Sequence, residues 1–226
     1  TTMKNKYLCI IPLGILLTVL CAASLNKKNS SVITTTYLPV NTGLTLVYQS
    51  SFGESVTNYI QDGELTISSS KADKFKYKQT LQIKNDGVYS LETYQYLKVL
   101  LFIKKEATIT YNKPLLRFPL PLSPGMKWEW NGKEYSDGDT NTLTVNGQAL
   151  CKESVVTKAG TFDAIKIESI IVSSSNGKNR VTEWYVEGVG LIKAKIIIEG
   201  GGLMGTLRDI LGYGTIEFEL KDMRKI

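Results

Sequence analysis

The sequence contains no histidine among its 226 residues. Histidine is the most common general base of enzymes, and it takes part in the Ser-His and Cys-His catalytic pairs and in most zinc sites. No spacing in the chain pairs a nucleophile with another base. We therefore expect that the protein is not an enzyme and that it carries neither a cofactor nor a metal.

Cysteine is scarce too, since the chain has three. Cys9 lies inside a predicted export signal and Cys21 at its end, so Cys151 is the one certain to remain after processing. We expect no internal disulfide, although an exported protein would allow one. Cys151 is predicted to be a small buried hydrophobic residue.

Clusters of positive charge are also lacking. Lys and Arg number 27 against 21 Asp and Glu, for a net charge of +6. Removal of Lys4 and Lys6 with the signal leaves 25 against 21, or +4. The lysines are dispersed along predicted strands, whereas nucleic-acid binding requires clustered basic residues. We expect no nucleic-acid partner.

The N-terminus has the three parts of a secretory signal: the basic Lys4 and Lys6, an apolar run, and small residues at the end. We predict a signal peptide over residues 3–23, a flexible linker over 24–36 and a single β-rich domain over 37–226. The predicted location is the periplasm, the cell envelope or the extracellular space.

Processing of this signal has three alternatives. Ordinary cleavage before Ser24 would release the protein, because small residues precede that position. Lipidation of Cys21 would anchor the protein to a membrane; Leu20 is a poor match for this route, whereas the polar segment after Cys21 resembles a lipoprotein tether. The third alternative is an uncleaved anchor.

The rest of the chain alternates between apolar and polar residues. In residues 75–84, Phe75, Tyr77, Leu81 and Ile83 share one face and the lysines lie on the other, which is the period of a half-buried strand. Asn-Gly and Asp-Gly pairs separate many such segments and favour tight hairpins. The pattern predicts a mainly β fold: a single curved antiparallel sheet, as a half-barrel or a barrel. Leu203, Leu207, Ile210 and Leu211 follow helical spacing and predict one short C-terminal helix over 203–211.

Three short motifs resemble a known family. They are YLPVNTG at residues 37–43, AGTFDAIKI at 159–167 and EWYVEGVGLIK at 183–193. Their series is similar to the uncharacterised TapB-like family of bacterial exported proteins, whose domain is thought to be similar to the half-barrels of the lipoprotein carriers LolA and LolB. The resemblance implies a curved antiparallel sheet with an apolar concave face, in the cell envelope, and the family has no established catalytic residues to carry over.

Four aromatic side chains are the predicted ligand-binding residues. Trp128 and Trp130 share one face of their strand and form either core or the walls of an apolar pocket. Trp184 and Tyr185 point to opposite faces, so one is buried and the other lies near the rim. The glutamates of the strands mostly occupy polar positions and are predicted to face solvent: Glu64, Glu168, Glu183, Glu217 and Glu219.

Two functions follow from these predictions. The first is a non-catalytic, exported envelope domain that binds a lipid or another apolar small molecule on its concave face. The alternative is a structural or protein-interaction module of the envelope, with a core that its own side chains fill. A lipid found in the purified protein would favour the first function.

Overall fold

The chain divides into two units, residues 1–32 and 33–226. A computed structural model describes residues 37–40, 42–98, 104–200, 205, 208–209, 212 and 214–225. The predicted signal peptide (3–23), the predicted linker (24–36) and Cys21 lie outside the described residues. Among the described residues, no helix has the length and apolar character that crossing a membrane would require.

The described residues form twelve antiparallel strands that close into a barrel. Each strand pairs with its neighbours along the chain, and the last strand pairs with the first. The predicted mainly β, antiparallel fold is therefore confirmed, in its closed form. The strands are β1 (Leu44–Ser50), β2 (Gly53–Asp62), β3 (Leu65–Lys71), β4 (Phe75–Lys84), β5 (Gly87–Lys98), β6 (Lys104–Pro119), β7 (Lys127–Ser136), β8 (Asp139–Thr157), β9 (Gly160–Ser173), β10 (Lys178–Val186), β11 (Gly190–Ile198) and β12 (Thr215–Lys225).

The hairpins follow from the local sequence. Asp137 and Gly138 join β7 to β8 with positive φ angles of 52° and 87°. Two successive positive φ angles form the type of turn whose twist matches that of the flanking strands, and Asp-Gly adopts it readily. Short turns of this kind leave each strand beside the next, which explains the simple up-and-down order of the sheet.

The two ends of the barrel are identified by the segments that lie at them. At the first end, Leu38 before β1 and Leu120 and Leu122 between β6 and β7 pack on buried residues of the strands, including Phe118 and Ile167. The β3–β4 and β7–β8 turns lie at the second end.

Two tryptophans of β7 pack against glycines of the barrel wall. A Cβ atom at Gly147 would overlap the Trp128 ring, and one at Gly132 would overlap the Trp130 ring, so each indole occupies the space that a side chain would need. The described pairing of β6 with β7 covers three residues. Beyond it, the Trp130 indole nitrogen donates a hydrogen bond of 2.9 Å to the Pro114 carbonyl and links the two strands.

The predicted C-terminal helix over 203–211 is not shown. Gly205, Arg208 and Asp209 are described, and the other residues of that segment lie outside the described part of the chain. The helix remains a prediction.

Candidate binding site in the barrel interior

The barrel encloses a cavity of about 420 Å³. Each of the twelve strands contributes at least one lining residue, so the cavity is the interior of the barrel itself. Aromatic and aliphatic side chains line much of it, among them Phe75, Ile109 and Phe218. Its volume falls within the range of small-molecule sites, which is roughly 300–1,000 Å³.

A charged pair crosses this interior. Arg117 Nη2 donates to Glu183 Oε1 at 2.7 Å, and Arg117 Nη1 donates to Gln79 Oε1 at 2.7 Å. The Tyr185 hydroxyl lies 3.3 Å from Arg117 Nη2 and donates to Glu183 Oε1 at 3.1 Å. We call Gln79, Arg117, Glu183 and Tyr185 the interior polar cluster. It joins β4, β6 and β10 through side chains.

A bulge in β6 directs Arg117 into the barrel. Val88 of β5 lies opposite Phe118 and Tyr89 lies opposite Leu116, so Arg117 is an extra residue with no partner on β5. Bulges of this kind redirect side chains that regular alternation would place elsewhere. Arg117 and the neighbouring Phe118 therefore both line the cavity.

The Arg117 guanidinium keeps its charge although it is enclosed. Burial by itself would lower the pKa of Arg117, but the Glu183 carboxylate, with Tyr185 and Tyr77, raises that pKa above its ordinary value. The fractional exposures of the two side chains are 22% for Arg117 and 12% for Glu183. Both residues line the cavity, so a ligand in the barrel interior could contact the pair directly.

Tyrosines surround the cluster. Burial raises the pKa of Tyr48, Tyr59, Tyr77, Tyr111 and Tyr185 above the ordinary value of 10.0, and all five line the cavity. The Tyr48 hydroxyl donates to the Leu191 carbonyl at 2.6 Å. The interior therefore combines aromatic surface with hydroxyl groups that can hydrogen-bond to a ligand.

These tyrosines predict alkaline unfolding. A raised pKa in the folded state means that the unfolded chain loses the phenolic proton first. The stability linked to these protons is therefore complete below about pH 10 and is lost as the pH rises through the higher folded values. In a pH titration, we expect tyrosinate absorbance from these side chains to appear together with the loss of far-UV circular dichroism. Ionisation of all tyrosines near pH 10 with the fold intact would contradict the burial described here.

The four predicted ligand-binding residues lie in different places. Tyr185 lines the cavity, whereas Trp128 and Trp130 pack into the barrel wall. Trp184 is on the outer face, where its indole donates to Glu153 Oε1 at 2.6 Å and lies between Lys166 and Lys193. The structure thus brings one of the four to the interior polar cluster. The assignment of all four as ligand-binding residues remains a prediction.

The sequence interpretation missed the rest of the cluster. Glu183 was predicted to face solvent with the other strand glutamates, which is wrong, because it faces the cavity and pairs with Arg117. The available signal was its spacing of two from Tyr185, since residues two apart share a face of a strand. No comparable signal identified Arg117 or Gln79.

Solved structures with low sequence identity are similar to the chain. A candidate lipoprotein of Parabacteroides distasonis has 15% identity and a TM-score of 0.44, covering 84% of this chain and 99% of that chain. A candidate exported protein of Bacteroides fragilis with a YmcC-like fold has 12% identity and a TM-score of 0.44, covering 84% and 100%. The hypothetical lipoprotein YmcC of Escherichia coli has 14% identity and a TM-score of 0.41, covering 84% and 88%.

Family comparison gives a firmer result. No curated protein matches the chain. The family described as DUF3108-like matches residues 54–207, which include most of the barrel and all of the interior polar cluster. The TapB-like name is not confirmed by this match. Because the match covers more than half of its length, the chain belongs to the DUF3108-like family.

Proposed function

We propose that this chain is a non-catalytic, exported domain of the bacterial cell envelope that binds a lipid-like molecule with an uncharged polar head inside its barrel. The observation that carries the proposal is the cavity of about 420 Å³ with the interior polar cluster at its wall. A closed barrel that is filled by its own side chains would not contain such a cavity.

The apolar lining favours an acyl or similar hydrocarbon chain. Phe52 and Phe75 stack with ring centroids 5.4 Å apart, and Phe75 and Phe218 lie 6.1 Å apart; all three line the cavity toward the second end. Burial of a hydrocarbon chain against such surface contributes about 0.8 kcal/mol per CH₂ group. The hydrocarbon chain would extend along this aromatic wall.

The charges of the interior favour an uncharged head group. Arg117, Glu134 and Glu183 are the charged residues among the described residues that line the cavity, and Arg117 is already paired with Glu183. The hydrogen bonds of Arg117 within the described chain use three of the five guanidinium N–H groups, which leaves donors for a ligand oxygen. The hydrogen bonds of Glu183 within the described chain use Oε1, so Oε2 can accept from a hydroxyl or amide group. A carboxylate head would add negative charge beside Glu183.

Export is supported by the N-terminal pattern of basic residues, an apolar run and small residues. Anchoring through Cys21 would place the barrel at a membrane, and free release would place it in the surrounding compartment. In either case the domain would operate where lipid-like molecules have to be held away from water.

A matched set of ligands tests the proposal. We expect 1-decanol to bind with a dissociation constant on the order of micromolar, from the burial of its hydrocarbon chain. Decanoate should bind roughly tenfold more weakly or worse, because its carboxylate approaches Glu183. Isothermal titration calorimetry at neutral pH, with decylammonium as the third head group, measures the series.

Two results would contradict the proposal in different ways. Tighter binding of decanoate than of 1-decanol would show that the head-group assignment is wrong. Failure of all three ligands to bind would favour the alternative function, a structural or protein-interaction module of the envelope.

A further inference from the structure

The fold gathers lysines that are dispersed in the sequence. The ends of β3, β4, β5 and β6 meet at the second end of the barrel, and each brings at least one lysine to it. Six of these lysines are exposed and Lys98 is half-buried. We call the set the lysine face, which consists of Lys71, Lys74, Lys76, Lys78, Lys98, Lys104 and Lys105.

Like charges are placed directly opposite each other on this face. Lys71 lies opposite Lys76 across β3 and β4, and Lys98 lies opposite Lys104 across β5 and β6. Such pairs destabilise a sheet. Asp73 and Glu106 are the acidic residues in the same strand ends, so seven lysines against two acids leave a local charge of +5. None of the seven forms an ion pair within the part of the chain that the structure describes.

Three lysines on the strands β10, β11 and β12 are arranged differently. On β10, β11 and β12, Lys178 lies 2.5 Å from Glu199, Lys195 lies 3.5 Å from Glu217, and Lys221 lies 2.6 Å from Glu54. Opposite charges neutralise each other on that side of the barrel. The lysine face therefore differs from β10, β11 and β12, where carboxylates compensate these lysines.

Aromatic residues accompany the lysines. The Lys76 ammonium lies 5.2 Å from the centre of the Tyr96 ring, and Tyr94 is opposite Lys78 on the same outer surface. Phe52 and Phe75 line the cavity at this same end of the barrel, so these lysines and tyrosines lie close to the cavity. Tyrosine beside lysine is the side-chain combination that suits the boundary between a bilayer and water.

We propose that the lysine face docks the barrel on a bilayer surface rich in anionic lipid, with the second end of the barrel toward the membrane. Phosphate groups of the lipid would relieve the two opposed lysine pairs, and the tyrosines would lie at the level of the head groups. This surface is separate from the barrel interior, so docking and ligand binding can be tested independently.

Vesicle flotation with the full chain tests the docking. We expect salt-sensitive binding to phosphatidylglycerol vesicles and not to phosphatidylcholine vesicles, because surface charges are screened beyond about 8 Å at physiological ionic strength. A triple variant, Lys71→Gln, Lys76→Gln and Lys98→Gln, should lower the phosphatidylglycerol-dependent binding on the order of 100-fold. It should remain folded, since it removes opposed like charges.

The matched control carries Lys178→Gln, Lys195→Gln and Lys221→Gln. This control loses the same number of positive charges and has the same N-terminus. If its binding to phosphatidylglycerol vesicles stays within about threefold of the wild-type value, the result supports a local docking surface. An equal loss in both variants, or equal binding to the two lipids, would overturn the proposal. Binding of duplex DNA to the lysine face more tightly than vesicles would overturn it as well. Decanol binding should not change in either variant, which separates failure of docking from failure of the proposed function.

Discussion

Replacement of Arg117 with methionine is expected to lower the free energy of unfolding by about 3 kcal/mol. Removal of the guanidinium leaves the Glu183 carboxylate enclosed without its partner, and Gln79 and Tyr185 lose a shared neighbour. The value lies at the lower end for a broken buried pair because both side chains border the cavity. Chemical denaturation, followed by circular dichroism and tryptophan fluorescence, measures the change.

A double variant and a surface control sharpen this test. In Arg117→Met with Glu183→Gln, both charges are gone, so most of the lost stability should return. Arg180→Met breaks the more exposed contact with Glu168, at 3.1 Å, and should cost less than about 1 kcal/mol. If Arg117→Met were no more harmful than Arg180→Met, the pair would not be enclosed as described.

The second large effect is expected from blocking the barrel. Ser169 is buried on β9 and lines the cavity, so Ser169→Trp places an indole in the space that a ligand would use. We expect 1-decanol binding to fall at least about 100-fold, because the indole displaces the hydrocarbon chain from the apolar surface. Calorimetric titration of the folded variant measures the loss.

The matched control is Val172→Trp on the same strand. Val172 is 41% exposed and lies on the opposite face of β9, so an indole there stays outside the barrel. Binding of 1-decanol should be unchanged. Equal effects of the two substitutions would mean that the ligand contacts the outer surface or that the loss reflects a general disturbance of β9.

The sequence was sufficient for the regular parts of the fold. The alternation in residues 75–84 corresponds to β4, and the Asp137-Gly138 pair forms the turn between β7 and β8. Such features depend on residues close together in the chain, for which side-chain period and turn geometry are direct physical constraints. The sequence did not distinguish a half-barrel from a closed barrel. Closure depends on the pairing of β1 with β12, which lie at the two ends of the domain.

Most residues of the interior polar cluster could not be predicted from the sequence, for a related reason. Arg117 enters the barrel through a bulge, and a bulge breaks the alternation from which the facing of a side chain is inferred. Its partners, Gln79 and Glu183, are 38 and 66 residues away in sequence. The lysine face was missed for another reason: its lysines are spread over four consecutive strands and become neighbours only when those strands pair. Of the predicted site residues, Tyr185 belongs to the interior polar cluster, while Trp184 lies on the outer face.

The most direct test of the central claim is the occupant of the barrel. The protein should be purified from a bacterial host without denaturation and examined by native mass spectrometry, beside Ser169→Trp prepared in the same way. We expect an uncharged amphiphile bound to the wild-type protein at one copy per chain, and none bound to the variant. An empty wild-type barrel that also fails to take up 1-decanol would contradict the claim that this cavity is a binding site.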